Sequence, residues 1–166
     1  MELSSIIARV NDIYRELAAR PVERDCIGRA ECCHFLKTGK TPYLTRGEAV
    51  VLAQALRASG RKHLPDSADG ACPLLNPASL RCLAYPGRPF GCRTHYCKAA
   101  GGPYSRKEVL DLIRRLEDLD SELGGDGPRI LKTALSLALE EQISKTNKND
   151  GGISGKSPLA RRDRAH

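Results

Sequence analysis

The chain predicts a mainly α protein: about four helices packed around a loop-rich cysteine segment that bound metal ties down. Three observations predict it. Apolar residues recur at helical spacing toward both ends. The stretch 61–104 holds six Pro and five Gly and shows no period of 2 or 3.6 residues. And the 166 residues include seven Cys, against five Tyr, two Phe and no Trp. An aromatic side chain buries about 150–250 Å², so the core lacks its largest pieces. A structureless loop of such length is improbable inside a compact domain unless something ties it. Thiolate–metal bonding would do so, because it contributes directly to folding free energy.

The first helix is expected from Leu3 to Ala19. Ile6, Val10, Ile13 and Leu17 share one face, widened by Leu3, Ile7 and Tyr14. Pro21 stops it. The second starts at a capping box, Thr45-Arg-Gly-Glu48, with Val50, Ala53 and Leu56 on its apolar face and Gly60 as the residue just past its end. The third repeats the device at Ser105-Arg-Lys-Glu108. Val109, Leu112, Ile113, Leu116 and Leu119 face inward, and the run Gly124 to Gly127 ends it. Pro128 fits the first position of a fourth helix, Arg129 to Ile143. That helix is apolar nearly all round, which predicts deep burial.

Hydrophobic residues make up 40% and charged residues 28%, as in ordinary globular proteins. No apolar run reaches the roughly 20 residues of a membrane-spanning helix, so no membrane partner is expected. The N-terminus carries charges through its apolar stretch and does not read as a secretory signal. A cytoplasmic location follows as the expectation. Net charge is +7. Six basic residues (Lys145, Lys148, Lys156, Arg161, Arg162, Arg164) and two acidic ones lie from Lys145 onward and carry more than half of it. The expected organisation is one helical domain, 1–145, with a metal-binding core, 26–97, and a disordered basic tail, 146–166. Such tails are commonly just solvated. With few aromatics to stack on bases, nucleic acid is a poor candidate partner.

The cysteines are Cys26, Cys32, Cys33, Cys72, Cys82, Cys92 and Cys97. In a reducing compartment, a cysteine pattern points to metal or catalysis rather than disulfides, and the odd count agrees. The spacing is neither the paired C-x2-C of zinc ribbons nor a ferredoxin pattern. Adjacent cysteines in extended chain point to opposite sides. Cys32 and Cys33 could therefore serve one mononuclear site only if the chain turns there. His34 and His95, beside Cys33 and between Cys92 and Cys97, are further candidate ligands.

These residues resemble the zinc- or iron-chelating, YkgJ-type cysteine-cluster family, whose members open with CxxCxxCC. Cys26, Cys32 and Cys33 take the first, third and fourth places, with Arg29 where the second cysteine stands. Leu44-Thr45-Arg46-Gly47-Glu48 matches the family's Leu-Thr-x-x-Glu, and Gly70-Ala71-Cys72-Pro73-Leu74-Leu75 its Gly-x-Cys-Pro-x-Leu. The run from Cys82 through Tyr85, Arg88, Pro89 and Cys92 to Arg93 matches Cys-x-x-Tyr-x-x-Arg-Pro-x-x-Cys-Arg throughout, and Cys97 closes the set. The resemblance covers Cys26 to Cys97. It implies a bound metal, an iron–sulfur cluster or zinc, and no particular reaction.

Sulfur-only ligation suits both metals. The surplus of cysteines and the nearby Arg88 and Arg93 fit an anionic iron–sulfur cluster better, since a guanidinium offsets thiolate charge with fixed donors. The leading expectation is a cysteine-cluster protein with a redox or accessory role beside a partner enzyme. The alternative is a zinc-binding structural or interaction module without catalysis. A methyltransferase reading, from the similar cysteine pattern of flagellin lysine N-methylases, lacks a cofactor-binding βαβ unit. No Ser/His/Asp set or paired carboxylates suggest a hydrolase.

Overall fold

Helical periodicity and good capping place four long helices where the chain can bury them in pairs. The computed structural model describes residues 1–20, 28–67 and 70–150, with side chains through residue 143. Helix α1 (Leu3–Ala18) buries Ile6, Val10, Ile13, Tyr14 and Leu17. After it come α2 (Phe35–Thr38), β1 (Tyr43–Leu44) and α3 (Arg46–Ala58). Two further elements, α4 (Phe90–Thr94) and α5 (Arg106–Glu122), precede β2 (Arg129–Ile130) and α6 (Leu131–Asp150). Single 3-10 turns occupy Glu31–Cys33, Tyr85–Gly87 and Lys98–Ala100. Both predicted capping boxes form, at Thr45/Glu48 and Ser105/Glu108.

Helix α3 is central because it is apolar on two sides. Leu52, Ala53 and Leu56 join Leu131, Leu135 and Leu139 of α6 in one core cluster, together with Cys72, Leu74 and Ala84. Val51 joins the second, made by Val10, Ile13 and Leu17 of α1 and Val109, Leu112, Leu116 and Leu119 of α5. Gly47 permits the close approach on that side. A Cβ there would lie 3.1 Å from Val10 Cγ2 and 3.3 Å from Leu119 Cδ2. Asp120, on α5, is buried and accepts from the Arg46 amide at 2.6 Å and the Gly127 amide at 3.0 Å. One carboxylate thus closes the start of α3 and the turn after α5.

Several details differ from the sequence reading. Six α-helices, not four, lie among the described residues; the extra two, α2 and α4, are single turns inside the irregular regions. Pro128 does not open a helix. Arg129 and Ile130 stay extended because they pair antiparallel with Leu44 and Tyr43, and the Leu131 amide donates to the Pro42 carbonyl at 3.0 Å. Helix α6 is not buried all round: Leu131, Ala134, Leu135, Ala138 and Leu139 are buried, while Leu137 is 39% exposed, on the face turned from α3. It runs on to Asp150, past the expected end at Ile143. The rest of the expected tail, 151–166, lies outside the described residues. Among the described residues no helix is long and apolar enough to cross a membrane.

Candidate metal centre

Between α1 and α3 the chain turns at the adjacent cysteines. Glu31–Cys33 is a 3-10 turn entered through Ala30 at φ 55°, with the Cys33 amide bonded to the Ala30 carbonyl at 2.9 Å. The extended geometry that would splay the two thiols is therefore not the one adopted. The Cys32 and Cys33 thiols are close enough to shift each other's ionisation in opposite directions. The Cys33 carbonyl accepts from the Cys72 amide at 2.6 Å, tying this turn to a segment almost 40 residues later.

Cys72 and Cys82 flank a short hairpin. Leu75 and Cys82 form an antiparallel bridge, and the Leu83 amide donates to the Leu74 carbonyl at 2.8 Å. At its tip, Asn76 Oδ1 accepts from the amides of Ala78 (2.9 Å) and Ser79 (3.1 Å), the local turn for which asparagine is suited.

The next element seats the hairpin's continuation on α3. A Cβ on Gly87 would lie 2.5 Å from the Ala55 Cβ and 3.0 Å from the Val51 carbonyl. Only glycine allows the Tyr85–Gly87 turn to sit that close. Pro89 then leads into α4, which carries Cys92 and Arg93. Arg93 spends its donors on this loop: Nε on the Arg88 carbonyl at 2.7 Å and Nη2 on the Pro86 carbonyl at 2.6 Å. Its guanidinium stacks 4.1 Å from the centre of the Tyr14 ring. Burial lowers its pKa. Arg88 instead lies 4.2 Å over the Tyr85 ring, and its buried Nε has no hydrogen-bond partner among the described residues.

These segments converge. Cys32, Cys33, Cys72, Cys82 and Cys92 all line one cavity of about 1400 Å³, with Arg88 in its wall. The lining also includes Val109, Ile113 and Leu116 of α5, with Arg106 and Glu117 of the same helix, and Ile130 and Leu131. The thiols feel one another. Burial, and then the thiols of Cys82 and Cys32, push Cys72 up to about 12. Burial also raises Cys92, with Cys72, Cys82 and Cys32 adding to the rise and Arg88 opposing it. Within the adjacent pair, Cys33 lowers Cys32, to about 6, and Cys32 raises Cys33.

Cys97 does not line that cavity. It borders a smaller adjoining pocket with Cys32, Arg29, Glu31 and His95. Cys32 and His95 line both. His95 has its pKa lowered by burial and by Lys40. His34 lines neither, and its carbonyl receives the amides of Lys37 and Thr38, both at 3.0 Å. Arg29, in the place of a fourth family cysteine, pairs with Glu31 at 3.7 Å on the surface. Cys26 lies outside the described residues. All six described cysteines are free thiols. Among the described residues, no group of three or more His, Cys, Asp or Glu side chains is arranged to hold a metal ion. Five thiols nonetheless share the cavity, together with His95, Glu48 and Glu117, and the orphaned Arg88 Nε lies among them. Thiols outnumber the other donors there, a set that suits a soft cation.

Sequence reasoning missed two contributors. Glu48 reads as a capping residue only, yet it is 2% exposed and also reaches α4. Tyr14 reads as core, yet it touches both Glu48 and Arg93. A carboxylate inside an apolar run would have been the available signal for the first. Comparison of the chain with protein-family models, with curated proteins and with solved structures returned no match.

Proposed function

We propose that the protein is a cysteine-cluster metal protein, holding an iron–sulfur cluster in preference to zinc and acting in a redox or accessory role beside a partner enzyme. The observation that carries this reading is the gathering of five thiols, from three separate stretches of chain, around one cavity. Cysteines kept only for packing have no reason to share a cavity wall. The likeness of Cys26 to Cys97 to the YkgJ-type family supports the same reading.

Cys32, Cys33, Cys72, Cys82 and Cys92 would hold the metal, with Cys26 and Cys97 as the remaining sulfur donors of the set. A bound cluster would supply one-electron chemistry. Around it, this chain's own groups act electrostatically. Arg88 offers a buried, unpartnered Nε–H where thiolate charge collects, which would stabilise the more reduced, more negative state. Arg93 acts on the same region indirectly, by holding the Arg88 and Pro86 carbonyls.

The test is anaerobic purification followed by iron, sulfide and zinc analysis and a visible spectrum. Brown protein with matching iron and sulfide supports the cluster. Colourless protein with zinc bound transfers the reading to a structural or interaction module. Protein with neither metal overturns it.

A further inference from the structure

Glu48 sits where three elements meet, and its hydrogen bonds divide in two. Oε2 accepts from the Thr45 amide at 3.0 Å and from Thr45 Oγ1 at 2.9 Å, closing the start of its own helix, α3. Oε1 faces away from α3. It accepts from the Phe90 amide at 2.7 Å and from the Tyr14 hydroxyl at 3.2 Å. Phe90 is the first residue of α4, the turn that carries Cys92. A helix start leaves its first amides without partners, and Pro89, the residue before, can neither donate an amide nor offer a capping side chain. No side chain of its own caps α4. The cap comes from α3, 42 residues earlier. Tyr14 extends the link, since its ring also supports the Arg93 guanidinium on the same turn.

We propose that Glu48 is the positioning residue of Cys92: its carboxylate caps α3 with one oxygen and holds the first amide of α4 with the other, which keeps the Cys92 thiol in the cavity wall. The proposal rests on the metal-centre reading for its purpose, though the positioning can be measured without metal. A buried carboxylate is costly to keep in an apolar surround, and a neutral cap such as Ser or Asn could serve α3 alone. Reaching a second element requires two acceptor oxygens on one long side chain, and Glu48 has both.

The experiment compares the full reduced chain with Glu48→Gln, Glu48→Ala and Asp120→Asn. Each native protein is alkylated with iodoacetamide, and the rate at each cysteine is read by peptide mass spectrometry. The ratio of Cys92 to Cys72 reactivity is the readout. Glu48→Ala is expected to raise that ratio about tenfold, the local opening that follows loss of one charge-assisted hydrogen bond. Glu48→Gln, which keeps one acceptor oxygen, should fall between it and the unsubstituted chain. Asp120→Asn weakens the start of α3 from the other side without touching α4, and should leave the ratio unchanged. An unchanged ratio in both Glu48 variants overturns the proposal. So does a parallel rise at every cysteine, or a rise with Asp120→Asn equal to that with Glu48→Ala. Should Glu48→Ala fail to fold, the isosteric Glu48→Gln decides alone. Metal content of the unsubstituted chain is measured on the same samples. Its absence would end the metal reading, while the Cys92 to Cys72 ratio still decides the role of Glu48.

Discussion

The helical scaffold and the cysteine segment are held together by different means. In the scaffold, α1, α3, α5 and α6 meet through side chains such as Leu52, Leu112 and Leu135, each fully buried. From Gly28 to Pro42 and from Arg61 to Tyr104 the only helices among the described residues are short turns. There Cys72, Leu74 and Ala84 join the core, and the further ties are single backbone bonds (Cys72 to Cys33, Leu83 to Leu74) and anchors lent by the scaffold. Glu48 and the contact of Gly87 with α3 are two such anchors. Apolar burial scales with area and is shared over many contacts. A lone hydrogen bond contributes only about 0.5–1.5 kcal/mol. The scaffold therefore rests mainly on shared apolar burial, whereas the cysteine segment adds a few discrete ties to the residues it lends to the core.

The largest effect should come from removing thiols of that segment. Cys72→Ser or Cys92→Ser should abolish metal retention and loosen the segment while α-helical circular dichroism persists. Normal metal per chain and normal thermal stability in both variants would remove these cysteines from the ligand set. Leu52→Ala strikes the scaffold instead and should cost about 2–5 kcal/mol. Because α3 carries both regions, helicity and metal should be lost in one transition, and two separate transitions in denaturant would show the regions to be independent.

Next in size is a pH effect on chelator-treated, reduced protein. Cys72 is raised to about 12 from an ordinary 9.0, so its contribution is complete below pH 9 and is lost as pH climbs toward 12. Cys92 acts with the same sign. Cys32, lowered to about 6, contributes fully above pH 9 and loses that contribution as pH falls through 6. Denaturation midpoints should therefore rise from pH 6 to pH 9 and fall by pH 11. Metal-loaded protein should behave differently at the alkaline end, because its ligands are already deprotonated. The same midpoint at pH 9 and pH 11 after chelation would contradict the burial of Cys72 and Cys92. The smallest effect is expected from Gly87→Ala, whose added methyl meets Ala55 and the Val51 carbonyl. Overpacking of this kind costs about 1–3 kcal/mol, and it should shift metal release more than scaffold melting. Equal shifts in both would mean that the turn belongs to the scaffold.

Legibility followed the same division. Leu3 to Ala18 and Arg106 to Glu122 were readable because each buries one stripe at helical spacing and starts or stops at a local signal. The capping boxes at Thr45 and Ser105 depend on neighbours three residues apart, which a sequence displays directly. Pro128 misled because its surroundings are settled by Tyr43 and Leu44, distant in the chain and paired with Ile130 and Arg129. The cysteines advertised themselves by number, and five of the six described do share a cavity. Their turn at Glu31–Cys33 was not visible, since it is fixed by a bond to Cys72. Glu48 hid for a related reason: a local role explained it fully, and the second role lies across the fold.

The pairing of β1 with β2 has a consequence for the order of synthesis. Leu44 and Arg129 are partners, and α6, which follows directly, packs on α3. A ribosome delivers α3 long before α6. Until then Leu52, Leu56 and the hairpin at Cys72 have no cover on that side. Through that interval the nascent chain exposes the apolar face of α3 that α6 later covers.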